Sequence, residues 1–293
     1  MKIIMCQPSN TRFEWELQVS INNLLEFKEI SKVVLLFLHE NPFVSERIKK
    51  RFGDFVEIHT YVDSRKHKDY IPSIKPFLWY KFLEENPEQQ NEDFFYIDSD
   101  VIFREMIDFD KFQNDNIWYG SDCNGYLNAD YIRNTKNGQT VLEEMCKIVG
   151  IKEHQFEEIN YDCIGAQLIV KKPKMEYWKK VYEDSNKIWY YFQDLDSNIQ
   201  KWTAEMWSQL MNMSLFGVKP QKDSEFDFTW ATDSIKKWFE NKIYHNAGVE
   251  YGTNDLFFKG KYDQISPFNE DFSQFGDKYA SFYYVKAIEK AKN

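Results

Sequence analysis

The chain has 293 residues, 43% of them hydrophobic and 18% aromatic, with 47 acidic against 37 basic residues and a formal net charge of −10. That is ample for a sizeable folded core, and the acidic balance argues against a general nucleic-acid binder, which needs clustered cations for phosphate. No stretch reaches the ~20 apolar residues of a membrane span, and the apolar part of MKIIMCQPSN is too short for a signal peptide, so a cytoplasmic location is expected.

Taken in chain order, residues 2–7 (KIIMCQ) read as a strand. Residues 13–28 read as a helix with Trp15, Val19, Leu24 and Leu25 on its apolar side, and 31–40 (SKVVLLFLHE) as a continuous apolar run of buried-strand type. The pattern repeats with a helix near 43–52, a strand at 55–60, a helix near 73–85 entered through Pro72 or Pro76, and a strand at 93–98. Alternating units of this size predict a mostly parallel, Rossmann-like sheet with right-handed crossovers, flanked by helices. In such sheets ligands sit beyond the carboxyl ends of the strands.

After residue 104 the pattern is α+β. Strands are expected at 118–122, 164–172 and 242–248, and helices at 138–149, 173–184, 199–213 and 278–291. With no repeat, linker or low-complexity tract, this half is expected to complete the same sheet, giving one domain over 1–293. Two basic runs, RKHKDYIPSIK (65–75) and KKPKMEYWKK (171–180), put cations beside aromatic rings, as a phosphate-bearing ligand would want; a solvated charged face is the plainer reading of each. Cys6, Cys123, Cys146 and Cys163 lack CxxC spacing and read as reduced core thiols, not as a disulfide frame or zinc site.

The chemistry concentrates in D-x-D pairs, of which there are three copies. Asp108/Asp110 and Asp194/Asp196 lie where helix starts and turns explain carboxylates without chemistry. Asp98 and Asp100 differ, because they close the run FFYI, where a buried strand does not tolerate unpaired charge. Hard oxygen ligands suit Mg²⁺ or Mn²⁺, and manganese also accepts imidazole. Among the five histidines His245 is best placed: it ends IYH and precedes Asn246, Ala247 and Gly248, the last a residue that lets backbone approach a ligand.

FYIDSDVIF (95–103), followed by IYHNAGV (243–249) and FFKGKY (257–262), resembles a GT-A fold nucleotide-sugar glycosyltransferase over about residues 1–262. The resemblance implies a nucleotide-binding Rossmann-like half (1–104), an acceptor-side, metal-completing half (105–262) and a C-terminal tail and helix (263–293). It implies that Asp98, Asp100 and His245 hold Mn²⁺ or Mg²⁺ on the donor diphosphate, that Ser99 lies near the donor ribose or sugar, and that Lys259 and Gly248 also serve the donor. Gln7, Ser9 and Arg12 follow the first strand, where this fold reads the base, and Asp162 and Gln167 occupy the region facing sugar and acceptor. Lys75 precedes a helix whose N-terminus favours phosphate.

IQKWTAEMWSQLMNM (199–213) is similar to the W-x-x-E-M helix of glycosyltransferases that modify hydroxylated acceptors. Helical spacing makes Trp202, Met206, Leu210 and Met213 core. Glu205 falls beside that stripe, either as an acceptor of the substrate hydroxyl proton or as an ordinary surface or N-terminal carboxylate. The implied donor is a nucleotide-sugar, a UDP-sugar first, and the acceptor bears a hydroxyl on a glycan, a protein or a modified DNA base.

Three alternatives compete. A haloacid-dehalogenase-like phosphatase also begins its site with a strand and D-x-D, but Gly and Thr do not follow Asp100, and the gap to Asp122 is short for the remaining elements. A non-catalytic sugar-binding protein would use the rings of KIWYYFQDLD (187–196), though such rings more often pack a core. A glycosyltransferase of hydroxylated DNA bases would use the basic runs.

Overall fold

The computed structural model describes residues 1–253 and 255–292. The chain opens with β1 (Lys2–Pro8), α1 (Thr11–Leu24), β2 (Lys32–Leu38), α2 (Pro42–Phe52), β3 (Val56–Tyr61), α3 (Ile74–Glu85), β4 (Asp93–Tyr96) and β5 (Val101–Phe103). It continues with β6 (Ile117–Asp122), α4 (Asn124–Leu127), α5 (Ala129–Arg133), α6 (Gly138–Val149), α7 (Glu153–Glu157), β7 (Ile164–Lys171), α8 (Met175–Gln193) and α9 (Ala204–Met213). The last elements are β8 (Lys219–Lys222), β9 (Phe228–Trp230), β10 (Ile243–His245) and α10 (Ser281–Ala291). The class is mixed α/β. No helix among the described residues is long and apolar enough to cross a membrane.

Local chemistry sets the first boundaries. Asn10 and Asn41 cap α1 and α2 by accepting from the amides of Phe13 and Phe43, and Pro42 opens α2 with the φ a helix needs. Helix α1 ends at Leu24, earlier than expected, which leaves Leu25 outside it and 51% exposed. Near its end the Asn23 side chain accepts from the Phe103 amide at 2.7 Å and donates to the Phe103 carbonyl at 3.0 Å, tying α1 to β5.

The fold divides into two compact units, each built from separated segments of the sequence. The first comprises Met1–Thr60, Ile97–Lys111 and Glu225–Asn293. Its strands run in the order β3-β2-β1, with β1 and β2 parallel from Lys2↔Lys32 to Pro8↔Leu38. A small second sheet in the order β5-β10-β9 pairs β10 antiparallel to β5 and parallel to β9. Trp15 and Val19 of α1 and Tyr284, Val285 and Ile288 of α10 share one apolar core with Phe257 and Tyr262, and the Trp15 indole donates to the Tyr262 carbonyl at 3.0 Å.

The second unit comprises Tyr61–Tyr96 and Phe112–Ser224. Its strands run β4-β7-β6-β8, with β7 antiparallel to both neighbours and β8 parallel to β6. Strands from the later part of the sequence thus share a sheet with β4, as expected, and β7 is a strand that runs antiparallel. An apolar run buried on both faces has the same appearance in either direction, so the sequence of β7 carries no sign of its polarity. Behind the sheet, Trp79 of α3 stacks on Trp178 of α8 at 4.8 Å with planes 4° apart, and the Trp118 indole of β6 donates to the Lys171 carbonyl.

Two further corrections concern helices. Helix α9 begins at Ala204, after a short 3₁₀ turn over Lys201–Thr203, so the apolar stripe that buries Leu210 and Met213 does not extend back to Trp202, whose ring is 56% exposed. Met206 is half-buried. Helix α8 runs on to Gln193 and absorbs most of the aromatic run, with Ile188 and Phe192 buried.

Gly138 opens α6 where a Cβ would lie 2.1 Å from the Ile132 carbonyl oxygen and 2.5 Å from that of Arg133, backbone atoms that no rotamer change can move. Gly138→Ala is therefore expected to lower stability by about 1–3 kcal/mol, read as a lower urea midpoint at unchanged slope. Gly125→Ala, with nothing within 4 Å of the new Cβ, is the near-neutral control.

Candidate functional site

Strand β4 stops at Tyr96, and the chain crosses Ile97, whose amide bonds the Ile4 carbonyl of β1, before turning through Asp98, Ser99 and Asp100 into β5. Strand β10 then pairs with β5 so that His245 opposes Val101, and the Asn246 amide donates to the Asp100 carbonyl at 3.0 Å. This register carries a histidine 145 positions downstream onto the aspartates: His245 Nε2 lies 3.2 Å from Asp100 Oδ1 and 3.6 Å from Asp98 Oδ2. One donor atom from each of the three lies within 4.8 Å of the others.

The electrostatics centre on Asp100, which is 3% exposed. Burial pushes its carboxyl up, but the Lys259 ammonium on Oδ2 and the imidazole on Oδ1 outweigh burial and hold it well below the usual carboxylate range. Burial likewise pulls His245 down, and the Asp100 charge and hydrogen bond reverse this, leaving the imidazole above its ordinary value. Lys259 is raised in the same way, burial being outweighed first by Asp100. The Asp98 side chain remains 43% exposed, which leaves the cluster open on one side. Two carboxylates and an imidazole form a donor set that suits Mn²⁺ and, through its oxygens, Mg²⁺. The residues therefore fit the metal that the resemblance implies.

A residue that sequence reasoning missed supports this turn. Glu16 of α1 is 1% exposed; it accepts from Ser99 Oγ at 2.6 Å and from Arg12 Nε at 2.9 Å, while Arg12 Nη1 reaches Asp263 at 3.2 Å. Burial, then the Asp100 charge, raises the Glu16 carboxyl. The pairing with Arg12 is an ordinary i,i+4 contact on a helix, but nothing in ELQVS marks the bond to Ser99, which stands 83 positions away in the sequence. Ser99 and Arg12 are thus joined through Glu16.

The other first-unit candidates fall into place as follows. Ser9 Oγ accepts from the amides of Glu40 at 2.9 Å and Asn41 at 3.2 Å, fixing the turn between β2 and α2. Gln7 lies within β1, 3% exposed, and its Nε2 meets no acceptor among the described residues. Gly248 adopts φ +81°, a left-handed conformation that glycine tolerates best.

In the second unit Glu205 is 4% exposed in the first turn of α9, so the alternative of a surface carboxylate is corrected. Its Oε1 lies 2.8 Å from Lys75 Nζ, and the Lys75 ammonium sits 4.9 Å from the centroid of the Tyr96 ring. Gln167 is fully buried in β7 and accepts from Ser121 Oγ at 2.7 Å, beside a register shift at Gly120/Ser121 and the positive φ (52°) of Ala166. Asp162 accepts from the Lys222 amide at 3.4 Å and borders a cavity of about 660 Å³ with Lys152, His154 and Lys219. The basic runs are corrected in part: Arg65 is 5% exposed and bound to Asp63, and Lys171 is 3% exposed beside Asp93, so neither is a solvated cation.

No family model and no curated protein matches the sequence. Among solved structures, the bifunctional glycosyltransferase WbbM in its apo form is similar over 98% of this chain and 51% of its own, with a TM-score of 0.52 and 9% identity. The present chain therefore spans about half of WbbM. The galactosyltransferase LgtC in complex with donor and acceptor sugar analogues is similar over 99% of this chain and 96% of its own, with a TM-score of 0.51 and 12% identity. An active-site mutant of LgtC gives the same coverage and TM-score at 10% identity. What is shared at such identities is the fold, that of GT-A glycosyltransferases.

Asp98→Asn, Asp100→Asn and His245→Ala are each expected to weaken Mn²⁺ binding by more than about tenfold, since even residues behind a ligand are worth about 10–100-fold in metal affinity. Electron paramagnetic resonance titration of free Mn²⁺ measures this, with far-ultraviolet circular dichroism confirming the fold.

Proposed function

We propose that this protein is a metal-dependent glycosyltransferase that moves a sugar from a nucleotide-sugar, a UDP-sugar first, to an acceptor hydroxyl. The observation that carries the reading is the Asp98, Asp100 and His245 cluster, assembled by the pairing of β10 with β5 on a GT-A fold. The solved LgtC complex, which holds donor and acceptor sugar analogues, supports it.

Glycosyl transfer leaves a nucleoside diphosphate that carries additional negative charge. A divalent cation on Asp98, Asp100 and His245 supplies Lewis-acid neutralisation of that charge. Lys259, held beside Asp100, adds a fixed positive charge at the same place. Glu16 keeps Ser99 and Arg12 in position. Gln7, Ser9 and Gly248 remain the donor-side residues on and near the first strand and after β10.

The acceptor hydroxyl must lose its proton as the new bond forms. Glu205 is the carboxylate proposed to receive it, at Oε1 or Oε2, with Asp162 the second candidate; Lys75 and Gln167 complete the donor-side set. The phosphatase and sugar-binding alternatives are not favoured by the fold likeness; of the rings in 187–196, Trp189 stacks on Tyr70 and Phe192 is buried, while Tyr190 is exposed.

A panel of UDP-, GDP- and other nucleotide-sugars with Mn²⁺, followed by nucleoside diphosphate release, tests the reading. Turnover is expected with at least one donor and is abolished by chelation. Asp100→Ala is expected to lose at least about 100-fold in kcat with the fold retained; equal turnover in that variant overturns the assignment. Glu205→Gln is expected to lose about 10²–10⁴-fold, the usual worth of a general base.

A further inference from the structure

Helix α9 is capped in an unusual way. Thr203 occupies its N-cap position and is a residue type that normally caps, yet its side chain makes no capping bond and donates instead to the Gln200 carbonyl at 2.6 Å. The Glu205 amide, one of the four that an α-helix leaves without an internal partner, donates to the hydroxyl of Tyr70 at 2.8 Å. The same hydroxyl donates to the Trp202 carbonyl at 2.8 Å. One phenolic oxygen 135 positions away thus closes the turn that enters the helix.

Tyr70 is itself held rigid. It is 1% exposed and stacks on Trp189 at 4.6 Å with planes 16° apart. Its carbonyl accepts from Arg65 Nη1 at 3.1 Å and from Ser73 Oγ at 2.7 Å. Arg65 is in turn gripped by both oxygens of Asp63. Burial first, then the nearby Glu205 charge, keeps the phenol well above its ordinary value, so the hydroxyl retains the proton that it gives to Trp202. Four residues after Tyr70 the chain enters α3, whose Lys75 reaches Glu205 Oε1 at 2.8 Å. The backbone and the side chain of Glu205 are therefore both tied to the 70–75 segment.

We infer that Tyr70 is a positioning residue: its hydroxyl sets the first turn of α9 and thereby the place from which the Glu205 carboxylate acts. This rests on the reading of Glu205 as the acceptor-side base. Local capping by Thr203 would serve the helix equally well, whereas only the phenol couples the turn to the segment that carries Lys75. A misplacement on the order of 1 Å costs about 10²-fold in rate, which sets the scale of the effect.

Tyr70→Phe keeps the ring and its stacking and removes only the two hydroxyl bonds. With Mn²⁺ and the UDP-sugar that the wild type hydrolyses fastest, its kcat for nucleoside diphosphate release is expected to fall about 10–100-fold, with KM for the donor unchanged. Combined with Glu205→Gln it should cost nothing further, because the two act as a unit. Trp118→Phe, which perturbs aromatic packing elsewhere in the same unit and leaves Tyr70 and its stacking partner intact, should keep the wild-type kcat even if its thermal midpoint falls. Wild-type kcat in Tyr70→Phe, or additive losses in the double variant, overturns the proposal; a wild type without turnover on any donor overturns the functional reading beneath it. Hydrogen exchange on the unaltered chain adds a test that does not depend on the variant folding: protection of the Glu205 amide supports the bond to Tyr70, and its absence overturns the proposal.

Discussion

A carboxylate at 3% exposure has to be neutralised, and in this protein the neutralisation of Asp100 organises the first unit. Its two oxygens face two side chains drawn from the far end of the sequence, the His245 imidazole and the Lys259 ammonium. Delivery of the histidine depends on a three-residue strand, β10, paired in one register with β5. A shift of one residue would turn the His245 side chain to the opposite face, since side chains alternate along a strand. The small sheet, the packing of Trp15 against Phe257 and the docking of α10 all serve to hold that register.

The second unit solves a related problem by other means. Glu205 is also buried, and its partner is Lys75, reached through a helix start and not through a strand. Around the pair, aromatic side chains do most of the packing: Trp79 on Trp178, Trp118 against Tyr177, Tyr70 on Trp189. Large rings of this kind remove much apolar area per ordered side chain, and their polar tips mark where backbone must be bound, as with the Tyr177 hydroxyl on the Gln209 carbonyl. Many of the chain's rings thus serve as scaffolding for α8 and α9. Trp202, Tyr161 and Tyr190 stand outside this packing, Trp202 at the 3₁₀ turn that precedes α9.

Much of this was legible beforehand, and the reason differs from element to element. The strands at 2–7 and 31–40 and the helices at 43–52, 73–85 and 138–149 declare themselves by period, because burial of one face or of both is a local property of composition. Asp98 and Asp100 declare themselves by contradiction, as charges closing an apolar run. The polarity of β7 was not legible, because a doubly buried strand reads the same in both directions. Apolar spacing puts the start of α9 too early, because it continues through a turn that is not α-helical. The role of Glu16 was not legible: its i,i+4 spacing from Arg12 marks an ordinary helix pair, and nothing local marks the serine 83 positions away that it also binds.

By itself the sequence determined the alternation of α and β elements, the buried faces and the D-x-D pair together with its need for positive charge, since all of these follow from which residues stand next to each other. Only the tertiary structure decided which side chains meet Asp100, that Glu205 lies inside with Lys75, and that Tyr70 closes the first turn of a helix by binding an amide 135 positions later. Those outcomes depend on strand register and on where a helix begins, shifts of one or two residues that redirect a side chain completely while leaving the apolar pattern almost unchanged.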